Sequence, residues 1–373
     1  MSPKCNFVLP ANCSAALDFI RAVSAQMVLV GHAISYFGIF NFLQPPILPY
    51  MQNVAVLLFF LLSGLLISYS VFTKLDNYPG YRFAEYFIDR FSRIYTSYLP
   101  SILFVLLLDF IYICLAGSNY GFATAFSVQT FIGNLFMLQD YPVGRYISLL
   151  HVTSFGSARP FWSLAVEWWI YLWFGWFVYN YYKKEQNRNN WYVHLIFIFF
   201  CIVPIWNMVF GRGNGLTFVW LMGSGVCLIL AKVSITSFRP KLSFILSAAF
   251  LTLATIRVVR TKIEYDVLFA GLLGLFLLFL LIGLHNSTFS FGKTFDRRVR
   301  FVANYSFTLY LTHYSILDFA HYLTNGIYSP YLIFVLSFLI CNFVAAFIAY
   351  FSEFRHKYVA SRLKQLLPRL SNT

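Results

Sequence analysis

Ten apolar runs, each close to the ~20 residues that cross a bilayer as a helix, occupy most of this 373-residue chain. They cover approximately 16–40, 52–73, 97–116, 161–182, 191–210, 215–232, 241–259, 265–285, 301–323 and 331–353. In lipid a backbone must satisfy its own polar groups, and uninterrupted runs of this length do so as helices. The chain is therefore expected to be an all-α polytopic transmembrane bundle of about ten spans, a single domain over residues 1–373. Composition agrees, with 60% hydrophobic and 11% charged residues, against roughly 25% charged in an ordinary soluble domain. The first run carries Asp18 and Arg21 and no small-residue cleavage site, so it reads as a retained span, not a removed signal peptide.

Charge gives an orientation. With the N-terminus cytoplasmic, 20 of the 27 Lys and Arg residues fall in loops and tails on that side, 6 fall opposite, and Arg21 lies in a span. Basic excess marks the cytoplasmic face, so both termini are expected inside. The same scatter accounts for the net charge of +14 without a nucleic-acid partner. The apolar stretch at 122–138 would invert every later loop if it crossed, so it is read as re-entrant or interfacial. Four of the six cysteines, Cys114, Cys201, Cys227 and Cys341, lie in apolar runs with no metal-ligand spacing, and no metal is expected.

Ionisable residues inside spans are costly there and mark function by default. Arg21 and His32 stand eleven residues apart in the first run, about three turns, which places both on one face roughly 16 Å apart along the axis. That arrangement suits an anionic substrate held at its charged end with a base towards its far end. In YRFAEYFIDRFSRIY (81–95), apolar Phe83, Phe87, Phe91 and Ile94 oppose a polar stripe, as in an interfacial amphipathic helix. Arg90 and Arg93, three apart, are spaced to grip one phosphate or diphosphate. A positive-inside anchor on lipid headgroups is the commoner reason for such a pair.

Glu167 enters the fourth run from the outer side beside Trp162 and Ser163, either working on a substrate or partnering an arginine. His313 sits mid-span in the ninth run, three residues after Tyr310, and a buried neutral His bonded to a neighbouring helix is the commoner situation. Ser63 and Gly64 in the second run suit close helix packing. By depth, cations near the cytoplasmic side and His32 with Glu167 towards the outside fit a phosphate-tailed thioester donor and an acceptor from the far side.

The run LDFIRAVSAQMVLVGH resembles the Arg-x10-His first-span motif of the membrane-bound acyltransferase-3 family. LFFLLSGLLI, the Arg-x-x-Arg of DRFSRIY, FIGNLFML, FWSLAVE and YSFTLYLTH are similar to that family in order and spacing. The resemblance implies transfer of an acyl group, often acetyl, from acyl-CoA to sugar hydroxyls of surface glycans, lipopolysaccharide or antibiotics. It implies His32 as catalytic base or transient acyl carrier, Arg21 as its partner or a donor ligand, and Arg90 and Arg93 as coenzyme A contacts. Glu167 would orient acceptor or imidazole, with Trp162, Ser163, Tyr310 and His313 as acceptor-binding residues. Leu65 stands where some members have Tyr or Phe, and no role is assigned to it. Many members add an SGNH hydrolase-like domain; here about 20 residues follow the last run, so the membrane part is expected to complete the reaction. The expected partners are acyl-CoA as donor substrate, a glycan or lipid-linked sugar, and membrane lipid, with no tightly bound cofactor. The expected location is a bacterial inner membrane. A lipid or sugar transporter is the rival class, but its usual internal repeats are not visible here.

Overall fold

The computed structural model describes residues 9–78, 80–139, 141–145, 151–182, 190–210, 215–232, 235–324 and 326–366. Their regular structure is helical: α1 (Ala11–Phe37), α2 (Met51–Asn77), α3 (Phe83–Ala116), α4 (Val128–Leu135), α5 (Phe161–Phe177), α6 (Trp191–Val209), α7 (Leu216–Lys232), α8 (Pro240–Thr261), α9 (Val267–Asn286), α10 (Lys293–Thr324), α11 (Pro330–Phe351) and α12 (His356–Leu366). Each of the ten apolar runs forms a helix, but the expected count of about ten spans is too high. Among the described residues, seven helices are long and apolar enough to cross a membrane: α1, α2, α3, α6, α8, α9 and α11. The reasons differ. α5 and α7 have 17 residues each, α5 passing into a π-helical turn over Val178–Tyr182. α10 opens with Lys293, Asp296, Arg297, Arg298 and Arg300 and is only weakly apolar.

A second difference concerns 81–95. The segment is no separate interfacial helix; it is the start of the 34-residue α3, roughly 51 Å long at 1.5 Å per residue. The Arg82 amide donates to Glu85 Oε2 at 2.9 Å and starts the helix there. The 122–138 stretch gives only a 3-10 turn and the eight-residue α4, too short to cross as a helix. Ser127 caps α4, its Oγ accepting from the Thr130 amide at 3.1 Å. The basic residues Lys4, Lys183, Lys184, Arg188, Arg212 and Arg369, counted in the orientation argument, lie outside the described residues.

The chain divides into two compact units, Met1–Pro79 with Asn207–Ala303, and Gly80–Trp206 with Asn304–Thr373. In the first, α2 and α7 meet backbone to backbone. A Cβ on Gly64 would lie 1.9 Å from the Trp220 carbonyl oxygen, and one on Gly223 would lie 2.0 Å from that of Leu61. Glycine is required at both crossings, and polar bonds fix the register: Trp220 Nε1 donates to Ser63 Oγ at 3.1 Å, and Ser68 Oγ to Ser224 Oγ at 2.7 Å. α1 packs on α2 at Gly31 through side chains instead, since a Cβ there would meet those of Gln52 and Met51.

In the second unit, the Phe87, Phe91 and Tyr95 rings of α3 stack in succession and each meets Trp168 of α5, with centroids 5.4–6.4 Å apart. Two segments that are neither strand nor long helix are held by side-chain amides. Asn134 Nδ2 donates to the Thr153 carbonyl at 2.7 Å and its Oδ1 accepts from the Phe155 amide at 3.2 Å. Gln139 Nε2 donates to the Phe161 carbonyl at 2.9 Å. Irregular backbone among spans is tolerated when protein groups satisfy it in this way.

Candidate active site

Within the first unit, α1 is unbroken from Ala11 to Phe37 and ends at Gly38, whose φ of 64° lets its amide return to the Ile34 carbonyl. Arg21 and His32 therefore occupy one continuous helix, both partly buried. Arg21 Nη2 donates to Asp18 Oδ1 at 3.0 Å, one turn back. The carboxylate that opens the first apolar run thus holds the guanidinium next to it, and the arginine is oriented before any ligand arrives.

The second unit contains the other expected residues. Arg93 Nη1 lies 3.0 Å from Glu353 Oε1, and this carboxylate is 1% exposed. Glu353 Oε2 also accepts from the Thr308 amide at 3.1 Å and the Thr308 hydroxyl at 2.8 Å. One buried acid thus ties α3, α10 and the end of α11 together around the arginine. Arg90 lies over the Tyr86 ring, 5.9 Å from its centroid, and its Nε is buried without a hydrogen-bond partner among the described residues. Nearby Asp89 pairs with Lys364 of α12 at 2.6 Å and accepts from the Tyr81 hydroxyl. Burial, then the bond to Asp89, pushes the Tyr81 phenol far above its ordinary value, so it remains a donor.

FWSLAVE forms the start of α5. Ser163 Oγ and Tyr310 Oη are 2.5 Å apart, and both reach the Pro160 carbonyl, at 3.1 and 3.3 Å. Two hydroxyls therefore converge on one backbone oxygen. His313, fully buried one turn after Tyr310 on α10, lies 3.0 Å through Nδ1 from the Leu309 carbonyl. Glu167 accepts from the Tyr171 hydroxyl at 2.5 Å, one turn along α5. Trp162 is buried at 7% exposure. Within this unit the structure thus brings Ser163 and Tyr310 into contact and sets His313 beside Tyr310, with ring centroids 6.0 Å apart.

Three buried polar residues of this unit escaped the sequence reading. Asp109, a lone acid in FVLLLDFIYI, is 1% exposed and accepts both the amide and the hydroxyl of Ser157, at 2.8 and 2.7 Å. An ionisable residue deep in an apolar run was the available signal. Glu353 closes the last run, and nothing local to it points to Arg93 or Thr308 as its partners. Asn134 lay inside FIGNLFML, but nothing local in that run points to Thr153 and Phe155 as its partners.

Residues 14–351 match the profile of a family described as an acyltransferase domain, acyltransferase-3. No curated protein and no solved structure matches the chain.

Proposed function

The chain belongs to the acyltransferase-3 family and is an integral membrane acyltransferase; from this we infer that it moves an acyl group, acetyl foremost, from acyl-CoA to a sugar hydroxyl of a surface glycan or lipopolysaccharide. What carries the reading is α1, an unbroken apolar helix at the head of the matched region with Arg21 and His32 three turns apart. Ionisable residues are costly inside a span and mark function by default, and both suit acyl transfer.

In this proposal His32 acts as general base. It takes the proton of the acceptor hydroxyl, whose oxygen attacks the thioester carbonyl. The C–S bond breaks, and coenzyme A leaves as a thiol after receiving the proton. Arg21, aligned by Asp18, is the partner of His32 or a donor ligand. Arg90 and Arg93 take phosphates of the donor. Glu167, Trp162, Ser163, Tyr310 and His313 hold and orient the acceptor. The basic loops support cytoplasmic termini, and the family supports a bacterial inner membrane as the location.

The test is thiol release by the purified protein. With acetyl-CoA, a thiol-reactive dye should report coenzyme A only when a sugar acceptor is supplied, and mass spectrometry should show that acceptor heavier by one acetyl group. If acetyl-CoA stays intact with glycans from membranes of the source cells, donor and acceptor are wrongly assigned.

A further inference from the structure

The turn before α5 lies against a carboxylate that the proposed chemistry does not use. Asp109 precedes the end of α3 by seven residues, so it lies roughly 10 Å inside the helix terminus. Residues 155–158, the irregular backbone set against it, are buried throughout. Asp109 Oδ2 accepts from the Ser157 amide and Oδ1 from its hydroxyl, so both oxygens grip one residue. The fit is close. Gly156 has φ +53°, and a Cβ there would stand 2.1 Å from Asp109 Oδ2. Burial, then the charge of Asp109, pushes the neighbouring Tyr120 phenol far upward, so this hydroxyl stays neutral beside the carboxylate.

The turn leads directly into the hydroxyl pair. The Ala158 amide bonds to the Phe155 carbonyl at 3.0 Å, the Phe161 amide to that of Ala158 at 3.1 Å, and the Ser163 amide to that of Pro160 at 3.3 Å. Pro160, whose oxygen collects Ser163 and Tyr310, is three residues from the clamped Ser157. We propose that Asp109 is a positioning residue: by clamping Ser157 it fixes the Pro160 carbonyl and so the Ser163–Tyr310 pair. This rests on the reading of that pair as acceptor-binding. Burying a carboxylate in a span is costly. A two-point grip that fixes both position and rotation of the turn is the return.

The experiment compares full-length Asp109→Ala, Asp109→Asn and wild-type protein in detergent. Hydrogen exchange is followed over 152–163, and transfer from acetyl-CoA is measured with methyl glycosides of glucose, galactose, mannose and rhamnose. Asp109→Ala should speed exchange of this segment about tenfold or more, since a charge-assisted bond is lost. Its acceptor KM should rise about tenfold while the acetyl-CoA KM stays within about twofold. Asp109→Asn should recover most of both, because its amide oxygen can accept the Ser157 amide and its NH2 can donate to the hydroxyl. Unchanged exchange in Asp109→Ala, equal shifts of donor and acceptor KM, or an Asn variant as impaired as Ala would each overturn the proposal. A wild-type protein that transfers to none of these sugars counts against the acceptor reading instead, and the exchange comparison still decides whether Asp109 holds the turn.

Discussion

Glu353→Ala should be among the most damaging single substitutions outside the proposed chemistry, and its size follows from what the carboxylate holds. Glu353 is 1% exposed, and its Oε1 has no aligned hydrogen bond among the described residues, so the Arg93 charge at 3.0 Å is its compensation. Breaking a buried pair by removing one partner costs roughly 3–5 kcal/mol. Arg93 is 27% exposed and can recruit water, which puts the ion-pair loss near the lower end. The Thr308 amide and hydroxyl also lose their acceptor, adding about 1 kcal/mol. A total of about 4 kcal/mol corresponds to a fall of roughly 8–16 °C in Tm at 2–4 °C per kcal/mol for a unit of this size. Tryptophan fluorescence during heating in detergent would measure it. Glu353→Gln keeps an acceptor for Thr308 and should lose less. Glu353→Leu combined with Arg93→Met should recover most of the loss, since no charge is stranded. A Glu353→Ala protein within about 1 kcal/mol of wild type, or single and double variants that simply add, would show that the pair is not coupled.

Gly223→Ala should destabilise the first unit by about 1–3 kcal/mol, because its Cβ would stand 2.0 Å from the Leu61 oxygen and the helices would have to part; Gly225→Ala, with open space around it, is the control in the same thermal assay. His32→Ala should abolish acyl transfer with near-normal folding, since a general base contributes about 10² to 10⁴-fold, and His32→Gln should not rescue it. His313→Gln should retain activity if that ring acts through hydrogen bonds alone; a dead His313→Gln enzyme beside an active His32→Ala enzyme moves the base to α10. Arg90→Ala should weaken acetyl-CoA affinity about tenfold or more, and Arg90→Lys should restore only part; equal affinity in all three proteins returns Arg90 to a lipid or packing role.

Helix identity was legible because a 20-residue apolar run has few other fates in lipid. The span count was less so, because apolarity alone does not separate a helix that crosses from one like α10, whose first turns are strongly charged. The 81–95 segment misled for a related reason. Its aromatic face looked suited to an interface, but those rings pack on Trp168, a partner 73 residues beyond Tyr95 in sequence. The Arg21–Asp18 pair was within reach of sequence, being one helical turn apart. The Arg93–Glu353 and Asp109–Ser157 contacts were not, because periodicity carries no information about partners 260 and 48 residues away.

The glycine contacts between α2 and α7 also set an order of events during synthesis. α2 ends at Asn77 and α7 begins at Leu216, so at about 5–20 residues per second the ribosome needs roughly 7–28 s to deliver the partner. Through that interval the Gly64 groove of α2 has no α7 to receive it. The second unit waits as well, since Glu353 emerges long after Arg93. A nascent chain of this protein therefore passes through a long stage in which its tightest contacts are half made, and substitutions at Gly64 or Glu353 should be felt first as losses during insertion, before any effect on the finished enzyme.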